Sequence, residues 1–263
     1  MSTLTDYRLI ARDLTRWQSI TNKKPMVAQQ TRYFQANIGN VKTIDAFVKN
    51  TRLFNFAMQA FGMGDRLYAK GLMKKVLEQG TASPSALANR LNDPRIKAFA
   101  KAFDFAGKGA LATQSDAVRK DVAARFVEQT LEVEQGAKNP GVRLALYFRQ
   151  NAPNITSTLG LLADRDLLQV AQMALGISPL SSHQDVDLQA KNLAAKVDVA
   201  DFKDAKKLQK FLERFCAAYD AANGGLLNAP QSQTLSLFDR SSPVIGIGLD
   251  AMLSLQSAKL ATK

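Results

Sequence analysis

Four asparagine or aspartate residues each stand directly before a helix-forming run and two positions after an apolar residue. They occur in the strings Val48-Lys49-Asn50, Leu91-Asn92-Asp93, Leu162-Ala163-Asp164 and Phe202-Lys203-Asp204. A side-chain oxygen at such a position accepts hydrogen bonds from the unpaired N–H groups of the first helical turn. The apolar residue before it can pack back on the helix that follows. The pattern therefore predicts helix caps at Asn50, Asp93, Asp164 and Asp204.

The helices that follow two of these caps carry similar sequences. RLFNFAMQAFGM at residues 52–63 aligns without a gap with DLLQVAQMALGI at residues 166–177. Gly62 and Gly176 then end the two helices, at positions where a left-handed C-terminal cap favours glycine. The similarity indicates two related halves that arose by internal duplication. The alternative is that capped, alanine-rich helices converge on similar strings.

The runs between the glycine and proline residues consist mainly of good helix formers. Alternating strand patterns are nearly absent, and VIGIG at residues 244–248 is the one short β-like stretch. We therefore expect an all-α fold, arranged as a multi-helix bundle or array. The expected helices cover residues 4–20, 41–48, 51–62, 65–79, 84–91, 94–104, 112–136, 140–151, 155–162, 165–175, 184–196, 204–222 and 247–260.

Composition divides the chain into three parts. We expect an N-terminal helix and linker at residues 1–30, a helical core at 31–222, and a linker plus a C-terminal amphipathic helix at 223–263. The linker is rich in polar and turn-forming residues. Each terminal helix either docks on the core or binds a partner. The sequence leaves both alternatives open.

The sequence contains no recognisable catalytic constellation. The single histidine, His183, has no neighbours with metal-ligand spacing. The single cysteine, Cys216, lies on the apolar face of a predicted helix, where a small buried side chain is the expected role. Glu128, Glu132 and Glu134 share one helix, and we expect them on its solvated face. We predict no catalytic residue, no cofactor and no metal site, and therefore a protein that is not an enzyme.

The chain is basic, with a formal net charge of +12 from 35 basic and 23 acidic residues. Such an excess favours acidic partners, including nucleic acid and acidic protein surfaces. However, the basic residues are scattered singly and in pairs, without a block of like charge. No apolar stretch approaches the roughly 18–20 residues of a transmembrane helix, and the start lacks the apolar core of a cleavable signal peptide. We favour protein partners over nucleic acid.

Three strings resemble a known bacterial family. They are TIDAFVKNTRLFNFAMQAFGMGDRLYAKGLMKKVLEQG at 43–80, ANRLNDPRIKAFAKAFDFAGKG at 88–109, and LEVEQGAKNPGVRLALYFRQNAPNITSTLGLLADRDLLQVAQMALGI at 131–177. They are similar to the bacterial domain-of-unknown-function family number twelve-seventeen, and the resemblance covers residues 30–220. Members of that family occur mainly in alphaproteobacteria and are often encoded among flagellar genes. The family has no established activity, ligand or catalytic residues.

The resemblance implies a flagellum-associated, non-enzymatic protein, either cytoplasmic or exported through the flagellar apparatus. The first hypothesis is a structural or assembly protein that acts through contacts with other proteins, among them flagellar ones. The second is a cytoplasmic regulator or export chaperone. The third is a nucleic-acid-binding regulator, suggested by the net charge alone. The sequence does not indicate an oligomeric state.

Overall fold

The computed structural model describes residues 2–91 and 93–223. These residues form α-helices and short 3-10 helices, and no β-strand occurs among them. This confirms the predicted all-α class. The α-helices are α1 Thr3–Arg12, α2 Leu14–Lys23, α3 Pro25–Asn37, α4 Ile44–Lys49, α5 Thr51–Ala60, α6 Lys70–Gln79, α7 Leu87–Arg90, α8 Pro94–Phe103, α9 Phe105–Lys108, α10 Asp116–Gly136, α11 Pro140–Asn151, α12 Thr158–Leu162, α13 Arg165–Leu175, α14 Val186–Ala194 and α15 Ala205–Ala222.

The first of two hydrophobic cores is built from α3 to α9 together with the first part of α10. Its centre is aromatic. The ring of Phe56 stacks between Phe34 and Phe126, with centroids 4.4 and 4.1 Å away. Phe47 packs 4.8 Å from Phe103 in the same core. Offset aromatic pairs at these distances add to the free energy gained by burying their area.

The second core is built from α11 to α15 together with α1. Phe148 of α11 and Phe211 of α15 stack at 5.3 Å, and Phe202 meets both rings edge-on at 5.1 Å. Cys216 is fully buried beside them in this core. This confirms the expectation that its side chain is a small buried one.

The matched sequence strings fold into matched elements, and the correspondence begins upstream of the strings themselves. At the ends of α3 and α11, Asn37 and Asn151 donate from their side chains to the carbonyl groups of Tyr33 and Tyr147, at 2.8 and 2.9 Å. A 3-10 helix follows each of them, and then a short helix and a longer one. The agreement in element order and hydrogen bonding supports duplication over convergence.

The longer helix of each half starts and ends in the same way. Asn50 and Asp164 are the N-caps of α5 and α13, accepting from Leu53 N at 3.1 Å and Leu167 N at 3.0 Å. The glycines that follow these helices, Gly62 and Gly176, have φ angles of 69° and 64°. Asp93 and Asp204 cap α8 and α15.

The first helix of each half, α1 or α10, packs into the core that is formed mainly by the other half. Tyr7 and Ile10 of α1 are buried in the second core, whereas Val122 and Phe126 of α10 are buried in the first. Ser2 and Ser115 cap these two helices. The halves are therefore interlocked, because each one is completed by a segment of the other.

The structure differs from the sequence-based expectation near the N-terminus. Residues 4–20 form two helices that meet at Asp13, rather than a single helix, and α3 covers residues for which the sequence predicts no helix. The region predicted as helix and linker, residues 1–30, contains α1, α2 and the start of α3. Its Tyr7 is completely buried, so the first helix docks on the core.

Other helix boundaries also differ from those expected from the sequence. The helix expected at 65–79 is reduced to α6 after a 3-10 helix at Gly64–Arg66, and the one expected at 84–91 is reduced to α7. The predicted VIGIG stretch, the C-terminal helix at 247–260 and nearly all of the linker lie outside the described residues. None of the described helices is long and apolar enough to cross a membrane.

Candidate functional site

Charged side chains from both halves meet in a polar cleft of about 370 Å³ at the junction of the two cores. The cleft is bounded by the end of α5, the start of α8, the C-terminal part of α10, one face of α11 and the start of α13. Its charged and polar lining residues are Arg66, Asp93, Arg95, Gln129, Glu132, Arg143, Tyr147, Asp164, Arg165 and Asp166. We refer to it as the polar cleft.

Two arginines hold Asp93 on the first-half side of the cleft. Arg66 Nη1 donates to Asp93 Oδ2 at 2.8 Å, and Arg95 Nη2 donates to the same oxygen at 3.0 Å. Arg95 also donates to the carbonyl oxygen of Gly62 at 3.0 Å, which links α8 to the end of α5. Burial alone would raise the pKa of Asp93, but the hydrogen bonds and charge of Arg95 outweigh it and lower the pKa.

On the second-half side of the cleft, the carboxylate of Asp164 accepts three hydrogen bonds. Its Oδ1 accepts from the backbone N–H groups of Asp166 and Leu167, both at 3.0 Å. Its Oδ2 accepts from the Tyr147 hydroxyl at 2.5 Å, so the cap is tied to α11. Burial, followed by the charge of Asp164, raises the pKa of Tyr147. Arg143 completes this side by donating to Asp166 at 2.9 Å.

Glu132 lies between these two groups and is only 2% exposed. Its Oε1 accepts a long hydrogen bond of 3.4 Å from Gln129 and lies 3.7 Å from Arg143 Nη1. Burial raises the pKa of Glu132 to about 8, and the opposing charge of Arg143 does not compensate. A carboxyl group with this pKa is mostly protonated at neutral pH.

The expectation of a solvated acidic face on α10 is wrong for Glu132. This helix contacts α11 as well as α5, and its first-core residues are followed by residues that face the second half. A side chain of α10 that points away from the first core therefore contacts the second half of the protein rather than water. Glu128 is half-buried, with a pKa raised by burial, and Glu134 forms an ion pair with Lys24.

The polar cleft brings together three of the six predicted helix-cap residues: Gly62, Asp93 and Asp164. Asn50, Asp204 and Gly176 are not among its lining residues. Sequence reasoning missed Glu132, Arg143 and Tyr147. The one signal concerns Tyr147: upstream of the matched strings, Tyr33 lies at the same distance before Asn50 as Tyr147 does before Asp164.

The two side chains with the most familiar chemistry stand apart from this cleft. Cys216 is buried in the second core, and burial raises the pKa of its thiol to about 12. His183 ends a 3-10 helix at Pro179–His183, just before α14. Within the described parts of the chain, no group of three or more His, Cys, Asp or Glu side chains is placed to hold a metal ion.

A larger groove of about 1210 Å³ adjoins the polar cleft and shares Asp93, Arg95, Glu132 and Tyr147 with it. We call it the α8–α10 groove after two of the helices that line it; α11 and α12 also contribute lining residues. Lining residues of α8 are Lys97, Ala98, Lys101 and Ala102, and those of α10 include Ala117, Asp121, Ala124, Arg125 and Glu128. Its volume exceeds the roughly 300–1,000 Å³ of most small-molecule sites.

Comparison with protein families gives a match over residues 60–208 to the family described as "Protein of unknown function (DUF1217)". The matched span is more than half of the 263 residues. The chain belongs to this family. This confirms the resemblance seen in the sequence, and every residue that lines the polar cleft lies inside the DUF1217 match.

A solved structure is also similar to this chain. It is the X-ray crystal structure of protein AGR_C_984 from Agrobacterium tumefaciens, with 41% sequence identity and a TM-score of 0.79. The similarity covers 85% of this chain and 97% of the other. A comparison with curated proteins finds no match. The helical fold is thus shared with a crystallographically determined protein.

Proposed function

We propose that this DUF1217 protein is a non-enzymatic, flagellum-associated structural or assembly protein that acts through protein–protein contacts. The observation that carries the proposal is the α8–α10 groove, whose size and lining of alanines and exposed lysines suit a segment of another protein. The flagellar part rests on the resemblance, because members of the family are often encoded among flagellar genes.

The non-enzymatic part is supported by how the charged groups of the polar cleft are used. Asp93 accepts from two arginines and from a helix start, and Asp164 accepts from a tyrosine and a helix start. These bonds connect elements within each half: the 3-10 helix at Gly64–Arg66 to α8 in the first, and α11 to α13 in the second. Groups that general acid–base or nucleophilic catalysis would need are thereby engaged in holding the fold together.

A second candidate, the cytoplasmic regulator or export chaperone, is favoured by the same groove. A chaperone for an exported subunit has to hold a helical segment of its client, and a groove between two helices offers such a surface. The two candidates differ in where the protein is found, rather than in the shape of the contact.

The test is a clean deletion strain, examined for swimming and by electron microscopy of its flagella, with the intact gene restored as the control. Absent or malformed flagella that the restored gene corrects would support the proposal. Detection of the protein in sheared filaments or hook–basal bodies would favour a structural or assembly role over a cytoplasmic one. Normal filaments together with normal swimming would overturn the flagellar assignment.

The nucleic-acid alternative has its own test, since binding driven by phosphate contacts weakens steeply with salt. A gel shift on mixed-sequence DNA that disappears between low and moderate salt would support this third candidate. The absence of a shift at low salt would remove it.

A further inference from the structure

The sides of the α8–α10 groove combine small apolar residues with cations. Ala98 and Ala102 stand one turn apart on α8, and Ala117 and Ala124 lie on the facing side of α10. Alanines at a helix–helix contact allow two helix axes to approach to the short end of the usual 8–10 Å range. The groove is therefore shaped for an incoming helix with a small-residue face.

Two lysines of α8, Lys97 and Lys101, lie beside these alanines and form no ion pair with a described residue. Lys97 and Lys101 are both exposed, stand four residues apart and so project from one face of the helix. Arg125 of α10 lies over the ring of Phe61, 5.2 Å from its centroid, and its charge is opposed by that of Glu128 in the same groove.

Apart from Asp121, the acidic residues that line the groove are engaged by groups other than the two lysines. Asp93 is paired with arginines, and Asp164 accepts hydrogen bonds from a tyrosine and a helix start. Glu128 accepts hydrogen bonds from Gln18 at 3.0 Å and Gln150 at 2.6 Å. Asp121 is exposed and is the acid of the groove that opposes the lysines. Asp121 offsets one of the two lysine charges, and an anionic partner would supply the second counter-charge.

We propose that the α8–α10 groove binds an acidic amphipathic helix of a partner protein, with its small apolar face on the alanines and its carboxylates beside Lys97 and Lys101. Carboxylates spaced three or four residues apart on the incoming helix match the spacing of the two lysines. The inference rests on the proposed function, because it assigns a partner chemistry to the same protein–protein contact.

The test places the photo-crosslinking residue p-benzoylphenylalanine at Ala124 of the full-length chain in the native bacterium. Ala124 is exposed and lines the groove, whereas Ala205 is exposed at the start of α15 and serves as the control position. Mass spectrometry of the adduct then gives the sequence of the cross-linked peptide. We expect an adduct from Ala124 whose partner peptide has net negative charge and a helical apolar period.

A charge-reversal pair makes the test specific. Lys97→Glu with Lys101→Glu should reduce the adduct by about tenfold, as expected when two attractions become repulsions worth about 1.4 kcal/mol in total. Lys206→Glu with Lys210→Glu makes the same change of charge at the same spacing on α15, outside the groove. This control should leave the adduct unchanged, and circular dichroism of both purified variants checks that they fold.

Several results would overturn the inference: no adduct from Ala124, an adduct with a neutral or basic segment, with nucleic acid or with a second copy of this chain, or equal losses in both double variants. The flagellar proposal can fail separately. Normal flagella in the deletion strain, together with an acidic-helix adduct, would refute only the flagellar assignment. Defective flagella together with any of the contrary adducts would refute only the docking inference.

Discussion

Asp164 and Asp204 each accept hydrogen bonds from two backbone N–H groups at the start of a helix, but their surroundings differ. Asp164 is 8% exposed and also accepts from the buried Tyr147 hydroxyl, whereas Asp204 lies at the surface. A buried donor that loses its acceptor costs more free energy than a surface cap that water can replace. An aspartate N-cap should therefore contribute more to the free energy of unfolding at Asp164 than at Asp204.

Asp164→Ala should lower the free energy of unfolding by about 2–3 kcal/mol, since it removes the cap and leaves the Tyr147 hydroxyl unpaired. Asp204→Ala removes only an exposed cap and should cause a clearly smaller loss. Urea denaturation of both variants measures the difference. Equal losses in the two variants would mean that the Tyr147 hydrogen bond contributes nothing to stability.

Glu132 should make the stability of the protein depend on pH. Its pKa is about 8 in the folded protein against 4.5 in the reference state, so the folded state binds more protons between these values. The free energy of unfolding should therefore fall as the pH rises from about 4.5 to about 8, and change little from this group outside that window. The physical cause is burial: once Glu132 loses its proton, the folded state contains a buried negative charge, which destabilises it.

Glu132→Gln keeps the shape and removes the ionisation. We expect the variant to be more stable than the wild type at pH 8, by a few kcal/mol, and the difference to shrink toward pH 5. Chemical denaturation of both proteins across this range measures it. A constant difference at all pH values would contradict burial of a titrating carboxyl group at this position.

At the scale of helices, the docking of α1 on α11 depends on one close approach. A Cβ atom added at Gly141 would lie 2.7 Å from Cγ2 of Thr3 and 2.6 Å from Cδ1 of Tyr219. Glycine at the second position of α11 therefore lets the start of α1 and the end of α15 meet over it. Thr3 N donates to Asp220 Oδ1 at 2.7 Å in the same place.

Gly141→Ala should destabilise the protein by about 1–3 kcal/mol, because the added methyl group has to push α1 or Tyr219 aside. Gly71 is also the second residue of its helix, α6, and a Cβ atom there would meet nothing within 4 Å. Gly71→Ala is thus the matched control and should leave stability unchanged or slightly raised. Thermal melting compares the two, and a stable Gly141→Ala variant would argue against this docking of α1.

On the scale of the whole molecule, the two cores should not unfold independently. α10 contributes to the first core and packs along α11, where Glu132 of α10 lies 3.7 Å from Arg143 of α11. α1 crosses in the opposite direction into the second core. Neither core is complete without a segment from the other half. Unfolding of one core should therefore remove part of the surface against which the other core packs.

Phe126→Ala tests this coupling, because Phe126 belongs to the first core and the chain's one tryptophan, Trp17, packs against the second. The substitution should cost about 3–5 kcal/mol. Urea curves followed by Trp17 fluorescence and by circular dichroism should shift together to lower denaturant. A tryptophan transition that keeps its wild-type midpoint would show that the cores unfold separately.

Features that depend on neighbours in the chain could be predicted. The caps at Asn50, Asp93, Asp164 and Asp204 were readable because a capping oxygen bonds N–H groups only two or three residues away. The all-α class followed from the same local preferences. The α3 helix was missed because Lys24 stands at its N-cap and makes no side-chain capping bond, so the local signal was weak.

The polar cleft and the interlocked halves depend on contacts between residues far apart in the chain. Glutamate is typical of a solvated helix position. Glu132 is buried because the second half of the protein packs against that side of α10. Tyr147 and Asp164, or Arg66 and Asp93, carry no sign in the sequence that they will meet. Local hydrogen bonding specified the helices, whereas the packing of one half against the other determined which charged groups became buried, because burial depends on every surface that surrounds a side chain.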